Sequence, residues 1–154
     1  MAKSKSALVA PQDPLQCPSA KPDMPRSHLL GAFLAREGER RLTYLDRLEP
    51  VTPDLLGLAG DVPPTQVLRF AAPCVSNGCA HFDGERCRLA TRITQRIPTA
   101  VDEVPECALR PSCRWRRQEG DAACLRCPII ITESYGAEEA DEALRLAADP
   151  ATPV

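Results

Sequence analysis

The spacing of apolar residues along the chain predicts short elements separated by frequent breaks. Leucine and aromatic side chains recur within residues 28–48, and we expect this segment to be helical or mixed. A Thr-Pro-Asp sequence at residues 52–54 has the residue types that favour a helix start, so a short helix is predicted to follow it. Residues 67–70 are then a candidate strand.

The clearest helical periodicity lies within residues 87–97. Leu89, Ile93 and Ile97 recur at four-residue spacing, and Pro98 ends the pattern. This regularity predicts one amphipathic helix in the middle of the chain.

Shorter elements are predicted beyond this helix. Short helices are expected at residues 112–119 and around 121–127, and a strand at 129–131 could pair with residues 67–70. Residues 137–148 have the pattern of an acidic amphipathic helix.

The composition indicates a thin hydrophobic core. The 154 residues include 16 prolines, and aromatic residues make up only 4% of the chain. We therefore expect a small metal-stabilised domain that is mostly α or irregular, with short helices, at most a short two-stranded sheet and a disordered N-terminal arm. The predicted parts are a disordered Pro-rich arm (1–27), an apolar helical or mixed segment (28–73), a Cys-rich metal-binding region (74–131) and an acidic C-terminal helix and tail (132–154).

Cysteines dominate the candidate chemistry. Seven of the eight lie between residues 74 and 127, with His81 among them. This density indicates that disulfides, zinc or iron–sulfur clusters support the domain. The seven predicted metal ligands are Cys74, Cys79, Cys87, Cys107, Cys113, Cys124 and Cys127.

Cys17 and His81 are weaker candidates for metal ligands. Cys17 lies in the predicted disordered arm, where we expect a solvent-exposed free thiol. His81 follows Cys79 by two residues and is an additional candidate ligand, although a surface histidine in a turn is the commoner case.

The chain shows no signal-peptide core and no run of 18 apolar residues, so no membrane span is expected. The predicted compartment is the cytoplasm, where thiols stay reduced. Sixteen of the 19 basic residues are arginine, which with the alanine and proline content is typical of a GC-rich, bacterial-like genome. A reducing compartment favours metal binding over disulfides.

The cysteine spacing favours iron–sulfur over zinc. Only Cys124 and Cys127 form a tight Cys-x2-Cys pair, whereas structural zinc sites usually combine two such pairs. Iron–sulfur clusters accept more widely separated ligands, and Cys127 precedes a proline as the last ligand does in bacterial ferredoxins, although the Cys-x2-Cys-x2-Cys series of that family is absent upstream. An iron–sulfur cluster is therefore predicted, with zinc as the alternative. Structural disulfides and uncoordinated thiols are the remaining, less favoured alternatives.

Four arginines surround Trp115 and form a candidate partner surface, namely Arg110, Arg114, Arg116 and Arg117. Such a cluster can contact nucleic acid, but residues 69–131 carry a net charge of only +3, so a solvated helix face around a core tryptophan is favoured. A protein partner is the preferred expectation, and no membrane partner is expected.

No phosphate-binding loop or nucleophile motif is present, so an enzyme is not favoured. The predicted function is an iron–sulfur protein that transfers electrons or acts as an accessory to a redox enzyme. A zinc-stabilised module that binds protein or nucleic acid is the first alternative, and a thiol redox protein is the second.

Overall fold

One antiparallel sheet organises the protein. The computed structural model describes residues 15–36, 39–132 and 142–154. Within these ranges, four strands pair in the order β1-β4-β2-β3. The strands are β1 (Gln16–Ala20), β2 (His28–Arg36), β3 (Glu39–Pro50) and β4 (Leu68–Pro73).

The prediction of a mostly α or irregular domain with at most a short two-stranded sheet was wrong, because four strands pair in one sheet. β2 and β3 form a long antiparallel hairpin in the segment that was expected to be helical or mixed. Apolar side chains of these strands pack on both faces of the sheet, so consecutive residues such as Leu29 and Leu30 are both buried. A strand with one exposed face shows alternating apolar and polar residues. A strand that is buried on both faces lacks this alternation, so the sequence did not indicate it.

Gly31 marks an irregularity in the pairing of β2 with both of its neighbours. The register shifts between Leu29 and Gly31 on both sides of the strand. A Cβ atom at residue 31 would lie 2.3 Å from the carbonyl oxygen of Thr43. Glycine therefore allows this close approach of backbones.

Short helices surround the sheet. They are α1 (Pro53–Gly57), α2 (Pro64–Val67), α3 (Arg88–Arg96), α4 (Arg114–Glu119), α5 (Asp121–Cys124) and α6 (Glu142–Ala148). The helix predicted over residues 87–97 is confirmed as α3, and the Thr52 side chain caps α1 by accepting a hydrogen bond from the Leu55 N–H at 3.1 Å. None of the described helices is long and apolar enough to cross a membrane.

The two faces of the sheet support two separate hydrophobic clusters. On one face, Leu29, Leu68 and Phe70 pack with partly buried side chains from residues 45–67. On the other face, Leu30 and Ala71 join the larger cluster formed by α3 to α6 and the cysteine-rich loops. The predicted strand at residues 129–131 is absent there; the chain instead forms a 3₁₀ turn at Cys127–Ile129.

The N-terminal segment also departs from the prediction. β1 lies within the range that was expected to be disordered, and it forms an edge strand against β4. Residues 1–14 of the predicted arm lie outside the described residues, as do residues 133–141 of the predicted tail. The division of the chain into four functional parts stays a prediction.

Candidate metal centres

The eight cysteines separate into two groups of four, and each group lines its own cavity. The first centre contains Cys17, Cys74, Cys79 and Cys87. The second centre contains Cys107, Cys113, Cys124 and Cys127. All eight thiols are free of disulfide bonds.

Strand pairing and a helix cap assemble the first centre. Cys17 on β1 is paired with Ala72 on β4, which brings it beside Cys74 just after β4. Cys87 caps α3, and an isolated bridge to Phe82 folds the loop that carries Cys79 back toward it. Residues far apart in sequence therefore meet because β1 and β4 are neighbours.

Consecutive turns and short helices assemble the second centre. Cys113 precedes α4, Cys124 ends α5, and Cys127 begins the following 3₁₀ turn. Gly120 joins α4 to α5 with a φ of +71°, a conformation that favours glycine. The reversal at this glycine returns the chain toward Cys113.

Backbone N–H groups face most of the cysteine sulfurs, usually from two residues downstream. At the first centre, the N–H groups of Ser76 and His81 lie 3.4 Å from the sulfurs of Cys74 and Cys79. Similar backbone contacts reach the sulfurs of Cys17, Cys87, Cys107 and Cys113 from Ser19, Leu89, Leu109 and Trp115. N–H donors favour a thiolate over a thiol, so the local backbone suits metal-binding sulfurs.

Side chains supply donors to the other two sulfurs. Nη2 of Arg69 donates to the sulfur of Cys127. Nη1 of Arg116 lies 4.0 Å from the sulfur of Cys124. Each of the eight sulfurs therefore has a hydrogen-bond donor.

Arg69 is a buried cation whose recorded hydrogen-bond partners are three carbonyl oxygens and the sulfur of Cys127. It is 0% exposed, and it donates to the carbonyl oxygens of Pro18, Cys127 and Ile130 at 2.6–3.0 Å. Burial lowers the pKa of Arg69, but its interactions with Cys127 and Tyr44 outweigh this effect and the pKa is raised. A buried guanidinium is costly unless its donors find acceptors, and these four atoms supply them.

Burial opposes ionisation of several thiols when the protein holds no metal. Burial raises the pKa of Cys17 to about 12, and burial also raises the pKa of Cys113 strongly. The backbone donors reduce both shifts without cancelling them. These thiols therefore need a bound cation to become thiolates at neutral pH.

Three buried N–H groups lack a hydrogen-bond partner within the described ranges, and all three belong to residues that line the two cavities. They are Nε of Arg110, Nε of Arg114 and Nε1 of Trp115. Arg110 lines the second cavity, Arg114 the first, and Trp115 both. Unsatisfied buried donors are costly, and an acceptor on a group bound in either cavity would remove that cost.

His81 lines the first cavity, but its Nδ1 atom has a partner. Nη2 of Arg92 lies 2.6 Å from Nδ1. A guanidinium only donates, so Nδ1 accepts and the proton of the neutral ring is on Nε2. Burial and the charge of Arg92 lower the pKa of His81, which favours this neutral form.

The two cavities differ in size. The first has a volume of about 360 Å³ and the second about 20 Å³. Within residues 15–36, 39–132 and 142–154, no three His, Cys, Asp or Glu side chains converge closely enough to hold a single metal ion. The sulfurs surround each cavity instead of meeting at one point.

Sequence reasoning missed Cys17. The expectation of an exposed thiol on a disordered arm was wrong, because Cys17 lies in β1, is half-buried and lines the first cavity. One signal was available: with Cys17 included, the eight cysteines make two complete sets of four, whereas the other seven leave one set short. The seven cysteines that were predicted as ligands all line one of the two cavities.

Three arginines of the candidate partner surface, Arg110, Arg116 and Arg117, line one further cavity, whereas Arg114 lines the first cavity. Arg117 is exposed, whereas Arg114 stacks over the Phe82 ring at 5.2 Å beside the first centre. Arg116 pairs with Asp121 at 2.7 Å, and Arg110 donates to the carbonyl oxygen of Pro105. A role in partner binding stays a prediction.

Comparisons with protein-family models, with curated proteins and with solved structures find no match to this chain.

Proposed function

We propose that this protein is an electron-transfer or accessory protein that binds two iron–sulfur clusters and serves a redox partner enzyme. Each centre would hold one cluster through its four cysteines. A bound cluster supplies reversible one-electron chemistry. The observation that carries the proposal is the division of all eight cysteines into two complete sets of four.

The arrangement of sulfurs and donors suits a cluster better than a single ion. Zinc binds four sulfurs at about 2.3 Å and offers no acceptor atoms of its own. The inorganic sulfides of a cluster accept hydrogen bonds, and hydrogen bonds to sulfur tune its potential. The unpartnered N–H groups of Arg110, Arg114 and Trp115 would then have acceptors at the two centres.

The four cysteines of the first centre are sufficient ligands without His81. Because Nδ1 accepts from Arg92, the Nε2 atom carries the proton and cannot bind metal in this tautomer. We therefore assign His81 as a hydrogen-bonding neighbour of the first centre, not as a ligand.

The small volume of the second cavity favours a second candidate function. A volume of about 20 Å³ accommodates a single ion more readily than a cluster unless the cysteine side chains rotate outward. A zinc ion bound there would make the second centre structural, and the protein would match the zinc-stabilised binding module. Arg110 Nε would then be left without an acceptor, which is why the cluster is preferred.

The test is to measure iron, acid-labile sulfide and zinc in the full chain purified without oxygen. Two [4Fe–4S] clusters predict about eight iron and eight sulfide atoms per chain, and two [2Fe–2S] clusters predict about four of each. Zinc without sulfide would overturn the proposal in favour of the zinc module. Protein that lacks all metal and undergoes reversible thiol oxidation would favour a thiol redox protein.

A further inference from the structure

We propose that a third cavity, which is lined by three arginines, binds a small polyanion carrying two or more phosphate or carboxylate groups. This arginine cavity is lined by Arg110, Arg116 and Arg117 together with Cys107 and Pro111, and its volume is about 540 Å³. The inference does not depend on the proposed function, because it rests on the fold and the arginine side chains alone.

Two short elements bring the three arginines to one cavity. Arg110 begins a 3₁₀ turn at Arg110–Ser112, and Arg116 and Arg117 lie in the second half of α4. Cys113 links the turn to the helix. Its N–H donates to the carbonyl oxygen of Arg110 at 3.3 Å, and its carbonyl oxygen accepts from the N–H of Arg117 at 2.9 Å. The backbone therefore fixes the positions from which the three side chains extend.

The arginine cavity has an excess of positive charge. Three guanidinium groups and no carboxylate are among the five residues that line it. Asp121 pairs with Nη1 of Arg116 at 2.7 Å, and this exposed carboxylate offsets one of the three charges. Like charges in one cavity repel each other, so a bound anion would stabilise the arrangement.

The three arginines also have donors that are available to a ligand. Nη2 of Arg110 donates to the carbonyl oxygen of Pro105, and Nη1 of Arg116 contacts Asp121. These contacts orient two guanidinium groups, whose other terminal nitrogens have no hydrogen-bond partner among the described residues. Arg117 has neither a hydrogen bond nor an ion pair within the described ranges. Two of the arginines are thus held in place, and the third is free to turn toward a ligand.

The size and lining of the cavity indicate the class of ligand. A guanidinium binds phosphate and carboxylate oxygens through two parallel N–H···O hydrogen bonds. A single phosphate fills only a small part of about 540 Å³, whereas three guanidinium groups can bind several anionic groups at once. Apolar ligands favour pockets that are lined mainly by apolar side chains. A small polyanion therefore fits this cavity better than an apolar cofactor does.

The arginine cavity adjoins the second centre. Cys107, Arg110 and Arg116 line both cavities, so substitutions of these residues would disturb both sites. Arg117 is exposed and lines the arginine cavity but neither cysteine cavity. A substitution of Arg117 therefore tests the polyanion site without removing a residue of either centre.

The test is isothermal titration calorimetry of the full chain, purified without oxygen, with fructose bisphosphate and separately with tricarballylate. We expect saturable binding at a single site for at least one of the two, and the tighter binder identifies the ligand as a phosphate or a polycarboxylate. Arg117→Gln removes one guanidinium and should weaken this binding about tenfold or more.

Arg47→Gln is the matched control, because it makes the same change in net charge. Arg47 is an exposed arginine of β3 that lines none of the three cavities. Its variant should bind the polyanion as tightly as the wild type does.

Equal weakening in the two variants would overturn the inference, because binding would then depend on net charge and not on the cavity. A Kd above about 1 mM for both polyanions would also overturn it. Saturable binding of a single-stranded oligonucleotide without binding of either polyanion would have the same consequence. Iron, zinc and sulfide content, measured on the same samples before and after titration, tests the proposed function separately, so failure of one proposal is distinguished from failure of the other.

Discussion

Four cysteines line each of the two candidate centres, but their surroundings differ. The first is assembled across the sheet edge from β1, the end of β4 and the start of α3, and its sulfurs face backbone N–H groups. The second is assembled from consecutive short elements, but a buried arginine from the sheet contacts its last cysteine. The number of cysteines therefore does not distinguish the two sites, whereas the hydrogen-bond donors around the sulfurs do.

The largest expected effect is the loss of one centre without the other. Cys113→Ser removes a ligand of the second centre, which should lose its cofactor because serine is a poor substitute for a thiolate. We expect the iron and sulfide content to fall to about half of the wild-type value. Cys79→Ser should do the same at the first centre. If either variant lost all of its iron, the two centres would not be independent.

A large loss of stability is expected from removal of the buried arginine of the second centre. Arg69→Met removes one hydrogen-bond donor from each of three buried carbonyl oxygens and from the Cys127 sulfur, so the free energy of unfolding should fall by about 3–5 kcal/mol. Denaturant unfolding of the metal-free chain measures the change.

Arg92→Met is the matched control for that comparison. Arg92 is equally buried and donates to the carbonyl oxygens of Ala147 and Thr152, so its loss should also destabilise the protein. Only the Arg69 variant should weaken cofactor retention at the second centre. Equal retention in both variants would contradict a specific role for Arg69.

A smaller loss of folding stability is expected when the pH of the metal-free protein is raised. Burial raises the pKa of Cys17 from the ordinary thiol value of 9.0 to about 12, so the folded chain keeps this proton where the unfolded chain loses it. Stability should therefore fall as the pH rises from about 9 toward 12, by about 1.4 kcal/mol at pH 10 for this thiol. Urea unfolding at pH 8 and pH 10 checks this.

Cys17→Ser supplies the control for the pH effect. The variant has no thiol to ionise at this position, so its stability should fall less between pH 8 and pH 10 than that of the wild type. An identical decline in both proteins would show that Cys17 does not contribute.

The smallest effect is expected at His81. His81→Asn keeps a side chain that can accept a hydrogen bond from Arg92, and it should leave the iron and sulfide content unchanged because the cysteines are sufficient ligands. Loss of half of the iron would identify His81 as a ligand of the first centre.

The sequence predicted local features better than distant ones. The spacing of Leu89, Ile93 and Ile97 and the cap at Thr52 depend on nearby residues, and both predictions were confirmed. The sheet was missed because β2 and β3 bury apolar groups on both faces, which removes the alternation that would identify them. Pattern alone could not show that the chain folds back to pair β1 with β4.

The same limit applies to the candidate centres. The density of cysteines predicted metal chemistry, which stays a prediction, but the grouping of the cysteines depends on the β1–β4 pairing that brings Cys17 to Cys74. Arg69 gave no signal in the sequence, because a single arginine in an apolar strand has no spacing that relates it to Cys127. Its role became visible only when the fold placed the two residues together.

The most direct test of the two-centre account is the iron and sulfide content of Cys17→Ser, purified without oxygen beside the wild type. Cys17 is the ligand that only the fold assigns to a centre. The account predicts that the variant loses the first cluster and keeps the second, with about half of the wild-type iron and sulfide. Wild-type iron and sulfide in the variant would contradict the assignment of the eight cysteines to two sets of four.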